Sequence, residues 1–394
     1  MSSAVLALNA GSSSIKFALF EPSEADEFSA IVRGTIDDTG PNPSLAITGE
    51  DEPRRLEAGT GSRRLEQLFG ALFEAIDARL DGRNLDAIGH RIVHGGPDFS
   101  APVRIDDGVM EALERLTPLA PLHQPRCLEP IHEMRRLRPE LAQVACFDTA
   151  FHHHLAPPVS RYAIPRRFER EGVRKYGFHG LSYEFVAGRI SRIDPELSAG
   201  RVVVAHLGNG ASLCAMRNGR SVDTTMGFSA LEGLVMGTRP GAIDPGVLLY
   251  LQRVHGMDAA ALEDMLYHRS GLLGVSEISG DVRRLAESDD PRAAEALELF
   301  AFRAAREVAA MAHSLEGLDG LVFTGGIGEH SPQIRAAICA RLAWLGVDLD
   351  PDANAAGAKR IGAPGSQAAV LVIPTDEEAV IARHTLRIPK PMSA

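Results

Sequence analysis

Two short stretches, nearly half a chain apart, repeat one design. "VLALN" (5–9) and "IKFALF" (15–20) are apolar runs separated by a turn of glycine and serines. "RVVVAHLGNGASLCAMRNG" (201–219) is again an apolar run, a glycine-rich turn and an apolar run. Laid over each other without gaps, Gly11 falls on Gly208 and Ala18 on Ala215, a shift of 197 residues in a chain of 394. Each unit reads as a β-hairpin with a wide loop. One unit per half points to a duplicated domain whose two anion loops face each other. The length agrees, since 394 residues exceed one ordinary core and two domains are expected.

Between these units strands and helices alternate, which places the chain in the α/β class. "SRRLEQLFGALFEAIDARLDG" carries Leu65, Leu68, Phe69, Leu72, Phe73, Ile76 and Leu80 on one stripe, with Ser62 as N-cap and Gly82 as the stop. "LFAFRAAREVAAMAHSLEG" (299–317) predicts a second helix. "GLVFTGGIGEHSPQIRAAICARLAWLG" predicts a strand, a glycine loop, and a helix from Ser331 as N-cap and Pro332 to about Leu345. That order presents backbone N–H groups and a helix N-terminus to a phosphate-bearing ligand. Pro-rich stretches at 117–125 and 157–165 mark loops, the second read as a crossing between domains.

Composition narrows the partners. The formal net charge is −11, which argues against nucleic acid and means that an anion site must be made locally. Lysine occurs only at Lys16, Lys175, Lys359 and Lys390, so Lys16 beside the Gly-Ser turn stands out. No apolar run reaches the length of a membrane helix. The N-terminus lacks the features of a secretory signal, and Cys127, Cys146, Cys214 and Cys339 are widely spaced. A cytoplasmic protein without disulfides is the expectation.

Each motif has a functional and a purely structural reading. In "NAGSSSIKF" the Ser12 and Ser14 hydroxyls and the turn's N–H groups could wrap phosphate oxygens, with Asn9 and Lys16 beside them, or the stretch could be only a serine-rich hairpin turn. It matches neither the Walker A nor the dinucleotide spacing. In "HLGNGAS" Gly208 and Gly210 let backbone approach a ligand, or Asn209-Gly210 makes a tight hairpin. Arg91 in "GHRIVHGG" could clamp a carboxylate or end a strand at the surface. His123 sits between prolines, Asp148 follows an apolar strand, His179 precedes a glycine and a helix, and Arg239 lies in a Pro-Gly loop. His152, His153 and His154 are adjacent, so their side chains diverge and read as non-catalytic. "PTDEEAV" (374–380) is an acidic cluster after a strand. Together these are the parts of a phosphoryl-transfer site.

The ordered segments "NAGSSSIKF", "GHRIVHGG", "PLAPLH", "FDTAFH", "YGFHG", "AHLGNGAS", "DTTMGF", "LEGLVMGTR", "SGLLG", "FTGGIGE" and "IPTDEE" closely resemble the acetate and propionate kinase family over nearly the whole chain. The resemblance implies a duplicated ribonuclease-H-like fold of the actin, Hsp70 and sugar-kinase type, with two lobes and a cleft between them. The lobes would be 1–149 plus about 378–394 on the acetate side, and 150–377 on the nucleotide side. It implies Mg²⁺, with Mn²⁺ as a substitute, held by Asn9 and Glu377. Lys16, His206, Leu207, Gly208, Asn209, Gly210, Asp281, Val282, Arg283, Gly326, Ile327, Gly328, Glu329 and His330 would contact ATP or ADP. Arg91 would hold the substrate carboxylate. His123, His179 and Arg239 would stabilise the moving phosphoryl group, with Asp148 as the essential carboxylate. Val93, Leu122 and Phe178 would line a small methyl pocket. A homodimer is implied as well.

Several positions depart from the family pattern, among them "LHQPRC", "FHHHLAP", "HGLSY" and "GTRPGAIDP". Ala230 in "GFSALEG" stands where the family commonly has a proline against the methyl group. One methylene is worth only about 1–3 kcal/mol of discrimination, which keeps propionate beside acetate as a substrate. An acceptor carboxylate titrates near ~4 and needs no base at neutral pH, so Asp148 is expected to orient Arg91 or a water. Direct in-line transfer from ATP to the carboxylate follows. In a different class, an actin- or Hsp70-like ATPase would need the anion loops but not the arginines and histidines around a small acceptor.

Overall fold

The repeat in the sequence becomes a repeat in the sheets. The computed structural model describes residues 3–11, 14–22, 28–38, 43–55 and 62–388. In the first half the strands are β1 (Ser3–Ala10), β2 (Ile15–Pro22), β3 (Phe28–Asp37), β4 (Ser44–Ile47), β5 (Arg54–Arg55), β6 (Asn84–Ile92), β7 (Val103–Arg104) and β8 (Ala142–Phe147), in the sheet order β5-β4-β3-β2-β1-β6-β8-β7. In the second half they are β9 (Arg201–Leu207), β10 (Ala211–Arg217), β11 (Arg220–Thr224), β12 (Gly320–Thr324) and β13 (Ala369–Val372), ordered β11-β10-β9-β12-β13. Pairing is antiparallel across β3-β2-β1 and parallel across β1-β6-β8. The same pattern holds for β11-β10-β9 and β9-β12-β13. The two glycine turns therefore occupy equivalent places, Ala10 facing Ile15 in one hairpin and Leu207 facing Ala211 in the other. This is the duplicated α/β architecture expected from the sequence.

Contacts divide the chain into two compact units, Met1–Ala150 with Asp376–Ala394, and Phe151–Thr375. The Pro-rich stretch at 157–165, expected as a crossing between domains, lies inside the second unit. The chain instead passes between units near Ala150 and Thr375.

Both sheets are covered on their two faces, which is why β1 and β9 read as nearly unbroken apolar runs. In the first unit Leu68, Phe69, Leu72, Phe73 and Ile76 of the helix Ser62–Asp77 pack with Leu6, Leu8, Phe17 and Leu19. The helix ends at Asp77, before the expected Gly82 stop, and the Ser62 side chain, expected as N-cap, lies outside the described residues. The helix Glu377–Arg387 meets β1 and β6. It comes so close that a Cβ on Gly89 would lie 2.2 Å from Thr385 Oγ1 and 2.5 Å from Ile381 Cγ2. In the second unit Tyr183, Val186 and Ile190 of the helix Gly180–Ile193 pack with Val202, Val204, Cys214 and Val322. The helix predicted at 299–317 runs from Pro291 to Leu315 and meets β9 and β10. Ser331 caps the next helix as expected, accepting from Ile334 N at 3.4 Å. That helix stops at Ala340 rather than Leu345, and the expected glycine loop before it is itself a helical turn, Gly325–His330.

Candidate active site

Three parallel strands of the first unit end at one edge and bring polar residues with them. Asn9 lies near the end of β1, Arg91 near the end of β6, and Asp148 just beyond β8. Arg91 Nε donates to Asp148 Oδ2 at 2.9 Å, its Nη2 donates to the same oxygen, and its Nη1 donates to Ala10 O at 2.9 Å. Burial works against this guanidinium, but the Asp148 carboxylate beside it, Cys127 and Glu377 together more than offset that, so its pKa lies above the ordinary arginine value. The cation is thus permanent and its fork is fixed. Val93 is buried, Leu122 is exposed, and His123 stands at the N-cap of the helix Gln124–Leu137.

The acidic cluster of the sequence opens the helix Glu377–Arg387, where negative side chains suit the N-terminal dipole. Asn9 Nδ2 donates to Glu377 Oε2 and to Glu378 Oε1, each at 2.9 Å. Burial, and then the charge of Glu377, raise the Glu378 pKa above the usual carboxylate range. Asn9 and Glu377 are expected from the sequence and Glu378 is not, its only signal being its place in "PTDEEAV". Ser12 lies outside the described residues. Lys16 is exposed on β2, opposite Asn9, and Ser14 O accepts from Gly11 N at 2.9 Å to close the turn.

In the second unit the turn Gly208–Gly210 carries the other group. A Cβ placed on Gly210 would lie 3.3 Å from His179 Nε2 and 3.8 Å from Arg239 Nη1, so this glycine leaves a space flanked by both. Arg239 Nη1 donates to Ala230 O at 3.1 Å, and its guanidinium lies 5.9 Å from the Tyr267 ring centroid. Ala230 thus meets Arg239 through its carbonyl. His179 sits at the N-cap of the helix Gly180–Ile193 with φ 59°, a conformation that is strained for a residue with a side chain. Its Nδ1 is 2.9 Å from Ser212 Oγ, and its ring stacks on His206 at 4.3 Å. Ser182 Oγ bonds His206 Nδ1 at 2.8 Å.

Beside that turn is a cavity of about 790 Å³ lined by Gly208, Asn209, Asp281, Val282, Arg283, Gly326, Ile327 and His330 among others. Three separated segments of the sequence meet there, at a volume suited to a small-molecule ligand. Not every expected contact lines it. His206 packs on His179, Leu207 is fully buried, and Gly210 faces His179. Gly328 is buried. Glu329 turns inward, its Oε1 accepting from Gly325 N at 2.8 Å and Thr375 N at 3.2 Å. None of these five residues is among those lining the cavity. Asp281 caps the helix Val282–Ala286 and pairs with Arg283, whose guanidinium holds the Asp281 carboxyl below its usual range.

Arg335 was not singled out in the sequence. It is 1% exposed, and its Nη1 donates to Gly328 O and Glu329 O, both at 2.9 Å. Its Nε and Nη2 donate to Asn354 Oδ1 and Asn354 O at 2.8 and 2.9 Å. One buried guanidinium thus fastens the turn that borders the cavity. Its signal was an arginine on the apolar stripe of Ile334, Ile338 and Cys339. Of the three adjacent histidines, His152 is buried and bonds Ser221 Oγ at 2.8 Å and Phe178 O at 3.0 Å. It holds the backbone of Phe178, whose side chain is also buried.

Comparison with known proteins gives one family. The model of the acetokinase family matches residues 4–383. An acetate kinase of Rhodopseudomonas palustris (strain TIE-1) is 50% identical over 98% of this chain and 99% of its own length. An acetate kinase of Rhizobium meliloti is 48% identical over 98% of each. Among solved structures, a propionate kinase from Francisella tularensis subsp. tularensis SCHU S4 superposes with a TM-score of 0.90 at 38% identity, over 98% of this chain and all of that one. Porphyromonas gingivalis acetate kinase gives 0.85 at 36% identity, over 98% and 99%. With a family match across almost its whole length and a fold shared with acetate and propionate kinases, the chain belongs to the acetokinase family and is a phosphotransferase that uses a carboxyl group as acceptor.

Proposed function

We propose that this protein transfers the γ-phosphoryl group of ATP directly to acetate, giving acetyl phosphate and ADP, reversibly and with Mg²⁺. The observation that carries the reading is the space at Gly210, flanked by His179 Nε2 and Arg239 Nη1 beside the cavity of the nucleotide segments. An imidazole and a guanidinium nitrogen bordering one place suit a group whose charge spreads over its oxygens as it moves. On this reading the second unit holds the nucleotide and the first holds the acceptor.

The main obstacle is repulsion between two anions. Arg91 binds the acceptor carboxylate, and Asp148 fixes the rotamer of Arg91 rather than removing a proton, since the acceptor is already ionised. His123, His179 and Arg239 meet the transferred group. Val93, Leu122 and Phe178 exclude water around the methyl group. Lys16 and Ser14 meet phosphate oxygens at the first glycine turn.

Asn9, Glu377 and Glu378 fit a hard divalent cation. Oxygen-bearing groups converge there, and burial and the charge of Glu377 raise the Glu378 pKa even though Lys16 acts against them. Among the described residues no group of three or more His, Cys, Asp or Glu gathers around a metal position. Mg²⁺, or Mn²⁺ in its place, would therefore take the rest of its shell from water and phosphate, as it does in kinases. When bound it neutralises charge on the β- and γ-phosphate oxygens.

The test is hydroxamate formation from ATP, acetate and hydroxylamine with Mg²⁺. Product dependent on all four supports the reading; ATP hydrolysis without hydroxamate from any two- to four-carbon acid overturns it and favours a nucleotide-switched binding module. Propionate is a second reading, favoured by Ala230 in place of a proline and by the likeness to a propionate kinase. The ratio of kcat/KM for acetate and propionate separates the two.

A homodimer belongs to the same proposal. The helix Pro245–His255 exposes Val247, Leu249, Tyr250 and Val254 and buries none of its residues, and such a face needs a cover. Sedimentation of Leu249→Glu should give a monomer if that cover is a second copy. Four free, buried cysteines suit the reducing cytoplasm.

A further inference from the structure

We propose that Ser212, held in turn by Tyr183, is a positioning residue that fixes the tautomer of His179 with its proton on Nε2. The inference rests on the phosphoryl-transfer reading of the site and deepens it.

Ser212 lies on β10 and is wholly buried. A buried hydroxyl is unfavourable unless its hydrogen bonds are made. Here both sides are engaged, with His179 Nδ1 at 2.9 Å and the Tyr183 hydroxyl at 2.5 Å. The direction of each bond follows from Tyr183. Its ring is also wholly buried, and burial lifts the phenol well above its ordinary pKa, so it stays protonated. The His206 backbone N–H approaches the phenol oxygen as a donor and cannot take its proton. That proton goes to Ser212 Oγ. The single Ser212 proton is then left for His179 Nδ1, which must act as an acceptor. The imidazole proton stands on Nε2.

This matters because of where Nε2 is. It borders the space at Gly210 that Arg239 Nη1 also borders. With the proton there, His179 and Arg239 are both donors to a developing anion. With the proton on Nδ1, His179 would present a lone pair to negative charge. A further contact holds the ring against rotation. His206 stacks on it with planes 21° apart, and His206 is itself tied by Ser182.

The experiment combines histidine ¹⁵N NMR with kinetics. In the native protein at pH 8, the His179 ring, assigned by its loss in His179→Gln, should give the Nε2–H pattern. In Ser212→Ala the pattern should move toward Nδ1–H or a mixture. Its kcat should fall about 100-fold, the scale for a misdirected donor, with KM for ATP and acetate within about threefold. Tyr183→Phe keeps the ring and should fall in between, and Ser212→Thr should restore both readouts. A native Nδ1–H pattern overturns the inference, as does an unchanged kcat in both Ser212→Ala and Tyr183→Phe. If Ser212→Ala does not fold, the native spectrum and Tyr183→Phe still decide. Native protein that shows the Nε2–H pattern but makes no acyl phosphate would sink the functional reading alone.

Discussion

Arg91 and Asp148 share a single oxygen, Arg91 donating from both Nε and Nη2 to Asp148 Oδ2. The carboxylate side chain is 1% exposed and the guanidinium 15%. Removing one partner of a buried pair leaves an uncompensated charge, at about 3–5 kcal/mol. Asp148→Ala should therefore lower stability by roughly 3 kcal/mol in urea denaturation and raise the KM for acetate, because Arg91 loses its orientation. A stable variant with a defect confined to ATP would contradict the assignment.

Arg239→Ala should cut kcat by about 100-fold or more while the KM for ATP changes little, since on the proposed reading it meets the moving group rather than the nucleoside. An unaltered kcat removes Arg239 from that role.

Gly210→Ala tests the same space from the other side. The methyl group would stand 3.3 Å from His179 Nε2 and 3.8 Å from Arg239 Nη1. The melting temperature should hold while kcat falls at least about tenfold, because small misplacements of reacting groups are costly. Full activity would mean that no reacting group passes there.

Arg335→Lys keeps the charge but cannot reach Gly328 O, Glu329 O and both Asn354 acceptors together. The turn Gly325–His330 should loosen, and the KM for ATP should rise about tenfold, equivalent to about 1.4 kcal/mol, with the acetate KM nearly constant. Equal losses for both substrates would make Arg335 a stability residue only.

Stability should depend on three buried imidazoles. Burial lowers His90, His94 and His152 to about 4 each, against about 6.5 in an unfolded chain. Between those values the unfolded chain binds more protons than the folded one. Their contribution is therefore complete above pH 6.5 and is lost as the pH falls toward 4. The urea midpoint should decline across that window. His152→Gln, which can still bond Phe178 O and Ser221 Oγ, should flatten part of the decline. An identical profile for this variant would show that His152 does not titrate as described.

Much of this was legible in the chain itself. The two hairpins, the Ser331 cap and the α/β order followed from short-range patterns of apolar spacing and turn chemistry, and such patterns survive in one dimension. The candidate residues were legible too, because glycine turns and isolated cations stand out from their neighbours. What the sequence could not show was which atoms meet. Arg91 and Asp148 are 57 positions apart and Asn9 and Glu378 are 369; the sheet order joins the first pair, and the packing of the helix Glu377–Arg387 on β1 joins the second. Ser212, Tyr183 and Arg335 looked like ordinary strand and helix residues, since the function of a buried hydroxyl or guanidinium lies in its partners. Nor could the sequence show that Leu207 is buried and that Glu329 Oε1 accepts from the backbone of Gly325 and Thr375. Residue type and spacing set what chemistry is available, whereas side-chain direction depends on packing that only the folded chain supplies.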